Sequence, residues 1–289
     1  MDTLQSVFAQ TFCDYEVIVI DNASTDNTRQ LLEPLIQEEK LKYILHDKNY
    51  ERAKSRNTGQ RVARGKFVTF LDSDDFMYPD NLKDAHLFAG THPTMKFFHN
   101  LYELVNDERE VVYKFSFNPL KDPVKQICEG NFLSCIGVFI HRDIYSTLFW
   151  DEEKSLTGSE DYEFWIRVIA HEKMVGRINK INSGILHHPG RTMNNLQLET
   201  TERRYEYILS KIASDEKLMV VYEPHLTRLR GFRWLFLAGL AREFSSKMML
   251  VYLKRAIQTF PPSFFSKAFL YNIFFLIRKQ FLFRDNRDH

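Results

Sequence analysis

The chain has 289 residues, 44% of them hydrophobic, which is enough for one large domain with an appendage or for two domains. It contains no run of about 18 uncharged apolar residues, which argues against a membrane-spanning helix, and no apolar secretory signal is recognisable. Three cysteines without a CxxC pair suit a reduced, cytoplasmic setting.

Charge is distributed unevenly along the chain. Residues 227–289 carry 12 Lys and Arg against 3 Asp and Glu, a net charge of +9, whereas residues 1–226 carry a net charge of −8. The same C-terminal segment holds 11 of the 25 phenylalanines. A basic, aromatic segment attached to an acidic body predicts two parts with different partners.

The predicted elements begin with a buried strand at 15–20, followed by a turn and a helix that runs to about Glu39, with Ser24 or Asp26 as the N-cap. The next elements, in chain order, are strand 41–45, helix 50–64, strand 66–71, a helix after Pro79, strands 95–99, 110–117 and 134–140, and a helix from Ser159 to about His171. Alternating strands and helices favour an α/β sheet with parallel strands.

The C-terminal segment predicts two helices, 227–257 and 263–284, separated by Pro261 and Pro262. Interleaved Arg, Lys and Phe suit a helix lying in a membrane interface. Apolar residues at helical spacing equally suit a helical subdomain that packs on the rest of the chain or on a second chain. Nucleic acid is the weaker partner, because the basic residues are too interleaved with bulky aliphatics to form a phosphate track.

An acid cluster follows the apolar run at 67–71: Asp72, Ser73 and Asp74, with Asp75 next. Carboxylates at the carboxyl end of a buried strand can hold a divalent metal against a diphosphate. A solvated turn is the alternative interpretation. A calcium loop is excluded, because Met77 and Lys83 occupy the positions that require Gly and Glu.

Two pairs of polar residues indicate a functional site less strongly than the acid cluster does when each pair is considered by itself. Asp21 and Asn22 end the first strand and could accept hydrogen bonds from a nucleoside, or they could simply form an Asx turn. Glu160 and Asp161 open the Ser159 helix, where a carboxylate can serve as general base or merely complement the helix dipole.

Basic and imidazole side chains give two more candidates. Arg56, with Arg52 and Lys54 on the same predicted helix, suits diphosphate oxygens, although a solvated basic face is the alternative. His188 could ligate a metal, although a surface His pair with His187 is the commoner case.

In combination these motifs resemble the family 2 glycosyltransferases of the GT-A type, over roughly residues 4–192. The segments that carry the resemblance are SVFAQTF (6–12), EVIVIDNASTDNT (16–28), RNTG (56–59), GKFVTFLDSDD (65–75), PD (79–80) and EDYEFW (160–165). The resemblance implies a GT-A, Rossmann-like mixed sheet flanked by helices in residues 1–200, with a helical extension in residues 201–289.

The resemblance also implies the chemistry. The donor would be a nucleotide-diphosphate sugar, with a UDP-sugar as first choice, and Mn2+ or Mg2+ would be the cofactor. The acceptor would be a glycan or a lipid-linked glycan, which places the protein in the cytoplasm or peripherally on the inner membrane face. Transfer would invert the anomeric centre.

Roles follow for the matching residues. The implied nucleotide-sugar contacts are Asp21, Asn22, Arg56, Asp72 and Ser73. The implied metal ligands are Asp72, Asp74 and His188. The implied catalytic residues are Asp161 as base and its neighbour Glu160.

The family pattern has a strand and turn before Ser6 that this sequence lacks, so the chain is expected to be N-terminally truncated. Loss of that strand would expose two strand edges and half-open the nucleotide pocket. A catalytically inactive nucleotide- or membrane-binding partner derived from such an enzyme is therefore the alternative function.

Overall fold

The computed structural model describes residues 2–191 and 196–285, with side chains up to Arg278. The chain divides into two compact units. The first consists of Met1–Pro123 and Leu133–Arg191, and the second of Val124–Phe132 and Thr192–His289. The basic side chains of Lys279 and Arg284, part of the second predicted C-terminal helix, lie outside those described.

The first unit combines helices and strands. Its helices are α1 (Asp2–Phe8), α2 (Thr28–Gln37), α3 (Glu51–Val62), α4 (Asn81–Thr91), α6 (Arg142–Tyr145) and α7 (Glu160–Glu172), while α5 (Pro123–Glu129) belongs almost wholly to the second unit. Its strands are β1 (Ile18–Asp21), β2 (Lys42–Leu45), β3 (Phe67–Val68), β4 (Phe76–Met77), β5 (Phe97–Val105), β6 (Val111–Lys114), β7 (Val138–His141) and β8 (Gly176–Leu186).

The strands form two sheets. Strands β1 and β2 pair in parallel. The larger sheet has the order β3-β7-β5-β8-β4, with β6 paired to β5. In it β5 and β8 run parallel while the other pairs run antiparallel. The parallel sheet predicted from alternating strands and helices is therefore wrong for the larger sheet. The mixed α/β architecture implied by the resemblance is confirmed.

Strand β5 shows why this sheet is the core of the unit. Its successive side chains point to opposite faces: the Phe98 ring stacks on Phe139 with ring centroids 5.1 Å apart, and the Phe97 ring stacks on Trp165 of α7 at 5.6 Å. Both phenylalanines are fully buried. The sheet is therefore covered on both faces, with α7 held against one of them.

Gly137, just before β7, is required by close approach of the chain. Its φ is +75°, and a Cβ there would lie 2.0 Å from Asn100 Oδ1. A larger residue would clash at this position and would also be strained by the backbone conformation. The glycine thus allows β7 to lie directly beside β5.

Most predicted elements are present, but several boundaries and caps differ. Strands β5, β6 and β7 lie at Phe97–Val105, Val111–Lys114 and Val138–His141 rather than at 95–99, 110–117 and 134–140. The strand predicted at 66–71 is shortened to Phe67–Val68 with a single bridge from Phe70 to Ile136. Ser159 stands at the N-cap of α7, yet its side chain makes no capping hydrogen bond. The N-cap of α2 is Asn27, so the prediction of Ser24 or Asp26 at that position is wrong, although Asp26 accepts from the Thr28 amide (3.0 Å).

The second unit is helical. Besides α5 it contains α8 (Leu198–Ser214), α9 (Glu216–Tyr222), α10 (Leu226–Ala241), α11 (Ser246–Thr259) and α12 (Lys267–Asp285), with 3-10 turns at Glu223–His225 and Pro261–Phe265. The helix predicted at 227–257 is in fact two helices, because the chain breaks at 242–245 and Ser245 Oγ caps α11 by accepting from the Met248 amide (3.2 Å). The predicted break at Pro261 and Pro262 is confirmed.

Helices α10, α11 and α12 share one apolar core. Its fully buried residues include Leu237, Ala238, Ala241, Ala256 and Met249. Arg233 is buried beside this core and pairs with Glu206, with the Nη1–Oε1 distance 2.6 Å. Within the described residues, no helix is both long and apolar enough to cross a membrane.

Candidate active site

The acid cluster forms a tight turn between two strands of the larger sheet. The amide of Asp75 donates to the carbonyl oxygen of Asp72 (3.1 Å). Asp72 is half-buried, Ser73 and Asp74 are exposed, and Asp75 is buried. The carbonyl of Ser73 accepts from the hydroxyl of Thr3 (2.7 Å). Within the Asp72–Ser73–Asp74 (DxD) motif the turn therefore presents Asp74 at the surface and keeps Asp72 half-buried, and it directs Asp75 inward.

Arg56, on α3, connects this turn to the start of α7. Its guanidinium donates to Asp72 Oδ1 (3.0 Å) and to Glu160 Oε1 (3.2 Å). Burial disfavours the charge on Arg56, but the carboxylates of Asp72 and Glu160 outweigh that effect and raise its pKa. Burial alone would raise the pKa of Asp72, whereas Arg56 lowers it below its ordinary value. Both groups are therefore charged at neutral pH.

An aromatic side chain supports Arg56 from one side. The guanidinium carbon lies 4.6 Å from the ring centroid of Trp150, within range of a cation–π interaction. Trp150 is held in turn by Asn57, whose Oδ1 accepts from the Trp150 amide (2.8 Å) and whose Nδ2 donates to its carbonyl (2.9 Å). The neighbours Arg56 and Asn57 thus fix the position of the guanidinium together.

The predicted catalytic pair opens α7. Glu160 is buried, and its second oxygen, Oε2, accepts from the amide of Gly158 (2.6 Å). Asp161 is half-buried, and its Oδ1 accepts from the Tyr162 amide (2.7 Å). Glu160 is therefore committed to structural partners, whereas Asp161 lies nearer the surface, as a general base must.

Asp74 and His188 lie next to each other. Asp74 Oδ2 is 3.0 Å from His188 Nε2, and both side chains are partly exposed. Asp72 faces Arg56 instead, so the three predicted metal ligands do not converge. Among the side chains of residues 2–191 and 196–278, no group of three or more His, Cys, Asp or Glu could hold a metal by itself.

Asp75 is the buried member of the cluster. It accepts the amide of Leu186, at the end of β8, at 3.1 Å. Burial is the main reason that its pKa rises to about 7, and the neighbouring charges of Asp72 and Asp74 add to the effect. The carboxyl group therefore ties the acid turn to the strand that leads to His188.

Asp21 and Asn22 lie at the end of β1, away from these contacts. Asp21 accepts from the hydroxyl of Tyr43 (2.5 Å) and from the amide of Ser24 (2.7 Å). Burial alone would raise the pKa of Asp21, but these hydrogen bonds lower it below its ordinary value. Asn22 Oδ1 accepts from the amide of Tyr50, just before α3, at 2.9 Å. Both side chains therefore fix the β1 end against β2 and α3.

Helix α3 connects the end of β1, at Asp21 and Asn22, with the acid turn that Arg56 contacts. Its first turn is tied to Asn22, its middle carries Arg56, and Gly59 packs close to β1, where a Cβ on the glycine would lie 3.8 Å from Ile20 Cγ1. The residue after Asn22, Ala23, has a φ of +63°, an unusual conformation for a residue with a side chain. Such conformations concentrate at functional sites.

Sequence reasoning assigned no role to four residues at this site. Asn57, Trp150 and Asp75 act through the contacts described above. Arg191 is the fourth, since its positive charge lowers the pKa of both Asp72 and Asp75. The motif at 56–59 gave a signal for Asn57, but nothing in the sequence connects Trp150 or Arg191 to the acid cluster.

Comparison with known proteins supports the resemblance. The sequence model of Glycosyl transferase family 2 matches residues 2–145, about half of the chain. An uncharacterised glycosyltransferase of Methanocaldococcus jannaschii is 27% identical over 59% of this chain and 60% of its own. The UDP-Glc:alpha-D-GlcNAc-diphosphoundecaprenol beta-1,3-glucosyltransferase WfgD of Escherichia coli is 26% identical over 64% of this chain and 68% of its own. The matched region thus spans less than two thirds of the archaeal relative.

Solved structures agree in fold. S. aureus TarS (residues 1–349) has a TM-score of 0.64 and 22% identity, covering 90% of this chain and 76% of its own, and its complex with UDP-GlcNAc has a TM-score of 0.59. The mannosyltransferase PcManGT of Pyrobaculum calidifontis, solved with GDP-Man and Mn2+, has a TM-score of 0.56 and 14% identity, covering 96% of this chain and 81% of its own. Fold, family match and relatives agree, and the chain belongs to glycosyltransferase family 2.

Proposed function

We propose that the protein transfers a sugar from a nucleotide-diphosphate sugar, with a UDP-sugar as first choice, to a hydroxyl of a glycan or lipid-linked glycan, with inversion of the anomeric centre. The observation that carries the proposal is the Arg56 bridge, because it holds the DxD turn and the Glu160–Asp161 helix start together. A donor and an acceptor bound on either side of this bridge would have their reacting atoms close to one another.

The donor side is assigned to the β1 end and the acid turn. Asp21 and Asn22 would border the nucleoside, and the turn at Asp72, Ser73 and Asp74 would border the diphosphate. Arg56 is buried and already occupied by Asp72 and Glu160. It therefore acts on the donor by positioning Asp72 rather than by direct contact with the nucleotide.

Asp74 and His188 fit a divalent cation. A carboxylate oxygen and an imidazole nitrogen 3.0 Å apart could both be ligands of one ion. Two protein donors leave room for diphosphate oxygens and water, as is usual for such ions. The nitrogen donor favours Mn2+ over Mg2+, which prefers oxygen ligands. When bound, the ion would offset the negative charge that develops on the departing diphosphate.

Asp161 is assigned as the general base. Its carboxylate would accept the proton of the acceptor hydroxyl as that oxygen attacks the anomeric carbon from the face opposite the diphosphate. One displacement of this kind inverts the anomeric configuration. Glu160, held by Arg56 and by the Gly158 amide, would keep the first turn of α7 in register with the acid turn.

Calorimetric titration with UDP, GDP, dTDP and CDP, each with Mn2+ and with EDTA, tests the donor site. We expect metal-dependent binding of one nucleotide, strongest for UDP, and its loss in Asp74→Ala. Lys83→Ala, an exposed residue on α4, is the control and should bind like the parent chain. If no nucleotide binds, or if Asp74→Ala binds equally well with metal, the donor-site assignment is wrong.

For the acceptor we propose a lipid-linked glycan and peripheral contact of the second unit with a membrane. The relative from Escherichia coli is named for a diphosphoundecaprenol acceptor, which supports this choice. The second unit also carries an exposed stripe on α12, at helical spacing: Lys267, Leu270, Tyr271, Phe274 and Arg278. Residues 260–278 contain no Asp or Glu. Exposed aromatic and basic side chains without acids complement an anionic lipid surface.

Co-sedimentation with phosphatidylcholine vesicles, with and without phosphatidylglycerol, tests this contact. We expect the full chain to pellet with the anionic vesicles, and a double variant, Phe265→Ser with Phe274→Ser, to remain in the supernatant. Both of these rings are exposed, so their loss should leave the fold intact. Leu87→Ser, at an exposed apolar position of the first unit, is the matched control. Equal pelleting of all three proteins would contradict the proposal.

A further inference from the structure

Four aromatic rings form a cluster on the hairpin of β5 and β6. Residues 113–117 alternate between aromatic and polar, so Tyr113, Phe115 and Phe117 lie on one face of the extended chain. The Tyr102 ring of β5 packs among them, with ring centroids 4.8 Å from Phe115 and 5.3 Å from Phe117. Tyr113 adjoins Phe115 at 5.0 Å. We call these four residues the hairpin aromatics.

The hairpin aromatics reach the surface. Tyr113 is 54% exposed, and the other three rings are half-buried. Among the strands of the described ranges, β6 pairs with β5 alone, so its outer edge is open. Exposed aromatic residues on an edge strand invite unwanted association. A cluster of this kind is therefore a candidate for ligand binding rather than a product of core packing.

The strand register places the cluster next to the acid turn. Tyr102 is paired with Ser183 of β8, and Val105 is paired with Leu186, whose amide donates to Asp75. Three residues along a strand span about 10 Å. The acid turn is joined in turn through Arg56 to Glu160, the neighbour of Asp161, at the start of α7. Burial raises the pKa of Tyr102, and the charge of Asp161 adds a smaller effect in the same direction. The cluster thus borders the proposed base.

We propose that the hairpin aromatics bind the pyranose ring of the acceptor, an inference that rests on the proposed function. The hydroxyl that loses its proton to Asp161 must lie beside that carboxylate, so the ring that carries it must lie within one sugar length of Tyr102. The apolar C–H face of a pyranose matches the electron-rich face of an aromatic ring. The hydroxyl of Tyr113, whose side chain is exposed, supplies a polar group at the rim.

Saturation-transfer NMR provides the test, with methyl β-glucoside, methyl β-N-acetylglucosaminide and methyl α-mannoside as probes. On the parent protein we expect transfer from aromatic protons to the ring C–H protons of at least one probe. In Tyr113→Ala the affinity for that sugar should fall about fivefold, the loss of one stacking contact. Tyr113→Phe should restore most of it, because the ring is retained.

Val112→Ala is the matched control. Val112 is also exposed, but it lies on the other face of β6 and should leave sugar binding unchanged. Equal losses in Val112→Ala and Tyr113→Ala would overturn the proposal, because they would indicate a general effect on the hairpin. The absence of transfer to all three sugars on the parent protein would overturn it as well.

The donor titration separates this proposal from the proposed function. Val112→Ala, which lies outside the hairpin aromatics, should bind UDP with Mn2+ as the parent chain does and should release UDP from a UDP-sugar into water at an unchanged rate. The same two measurements are made on Tyr113→Ala. Metal-dependent nucleotide binding combined with unaltered sugar binding in Tyr113→Ala would refute the acceptor platform alone. Sugar binding at the hairpin without any nucleotide binding would refute the proposed glycosyl transfer instead.

Discussion

The two units differ in how many charged groups they bury. The first buries charged side chains in pairs, as with Arg56 between Asp72 and Glu160, and Glu163 with Arg167. Among the described side chains of the second unit, the buried polar ones are Thr201, Arg233, Ser263 and Asn272, set in an apolar helical core. The first unit therefore fixes charge in space, as chemistry requires, while the second provides a scaffold with an aromatic surface.

The largest expected effect is the loss of activity caused by substituting Asp161 in the first unit. Asp161→Asn keeps the oxygen that accepts the Tyr162 amide but cannot take a proton. We expect transfer, measured as release of nucleoside diphosphate in the presence of acceptor, to fall about 100- to 10,000-fold. The thermal midpoint should stay unchanged. If most of the activity is retained, Asp161 is not the general base, and the idea that the first unit fixes its charges for catalysis loses support.

Next comes the stability of the charge pairs. Arg56→Met removes a buried cation and leaves Asp72 and Glu160 without it, so we expect a loss of about 3–5 kcal/mol in the free energy of unfolding. Arg52→Met is the control, since Arg52 is half-exposed and its Nη1 is 3.9 Å from Glu160. Its loss should stay below about 1 kcal/mol. Denaturant unfolding measures both losses. Similar losses in the two variants would show that the buried Arg56 bridge contributes no more to stability than an exposed arginine.

The second unit offers a matched pair within one helix, α11. Leu253 is buried in the apolar core and Leu250 is exposed. Leu253→Ala should cost about 2–5 kcal/mol, whereas Leu250→Ala should cost less than about 0.5 kcal/mol. Unfolding followed by circular dichroism measures both. A small effect at both positions would mean that the helical unit contributes little to the cooperative stability of the chain.

The smallest expected effect concerns Asp21, whose pKa is lowered in the fold. A lowered pKa gives stability that is present above the unfolded pKa of about 3.9 and lost as the pH falls through the folded value. Tyr43→Phe removes the phenolic hydrogen bond and should cost about 1 kcal/mol at neutral pH. The cost should shrink below pH 4, as measured by unfolding at several pH values. A cost that is independent of pH would assign the loss to packing.

Sequence reasoning anticipated much of the architecture because local patterns control it. The apolar run that ends at Asp21, the first-turn acids at Glu160 and the break at Pro261 all depend on neighbouring residues, and each is found where it was predicted. The break after Arg242 was missed, because apolar spacing continues through it and the only signal was Ser245 as a cap.

Long-range partners lay beyond such patterns. The burial of Arg56 depends on Asp72 and Glu160, which come from other elements, so the sequence could not show that its guanidinium is already paired with carboxylates. The long strand β8 was missed for a similar reason, since its polar residues become buried only against β5. The roles assigned to Asp21, Asn22, Asp74, Asp161 and His188 remain predictions for the experiments above.

The distance along the chain between bridge partners has a kinetic consequence. Arg56 and Glu160 are 104 positions apart, and Arg177 reaches His99 of β5 across 78 positions. Contacts this remote close late and slow the search for the native state, whereas helices α10 and α11 of the second unit are neighbours in the chain and pack on each other through contacts of short sequence separation. The acid turn therefore acquires its fixed geometry at the end of refolding, so recovery of nucleotide binding should lag behind recovery of helical signal.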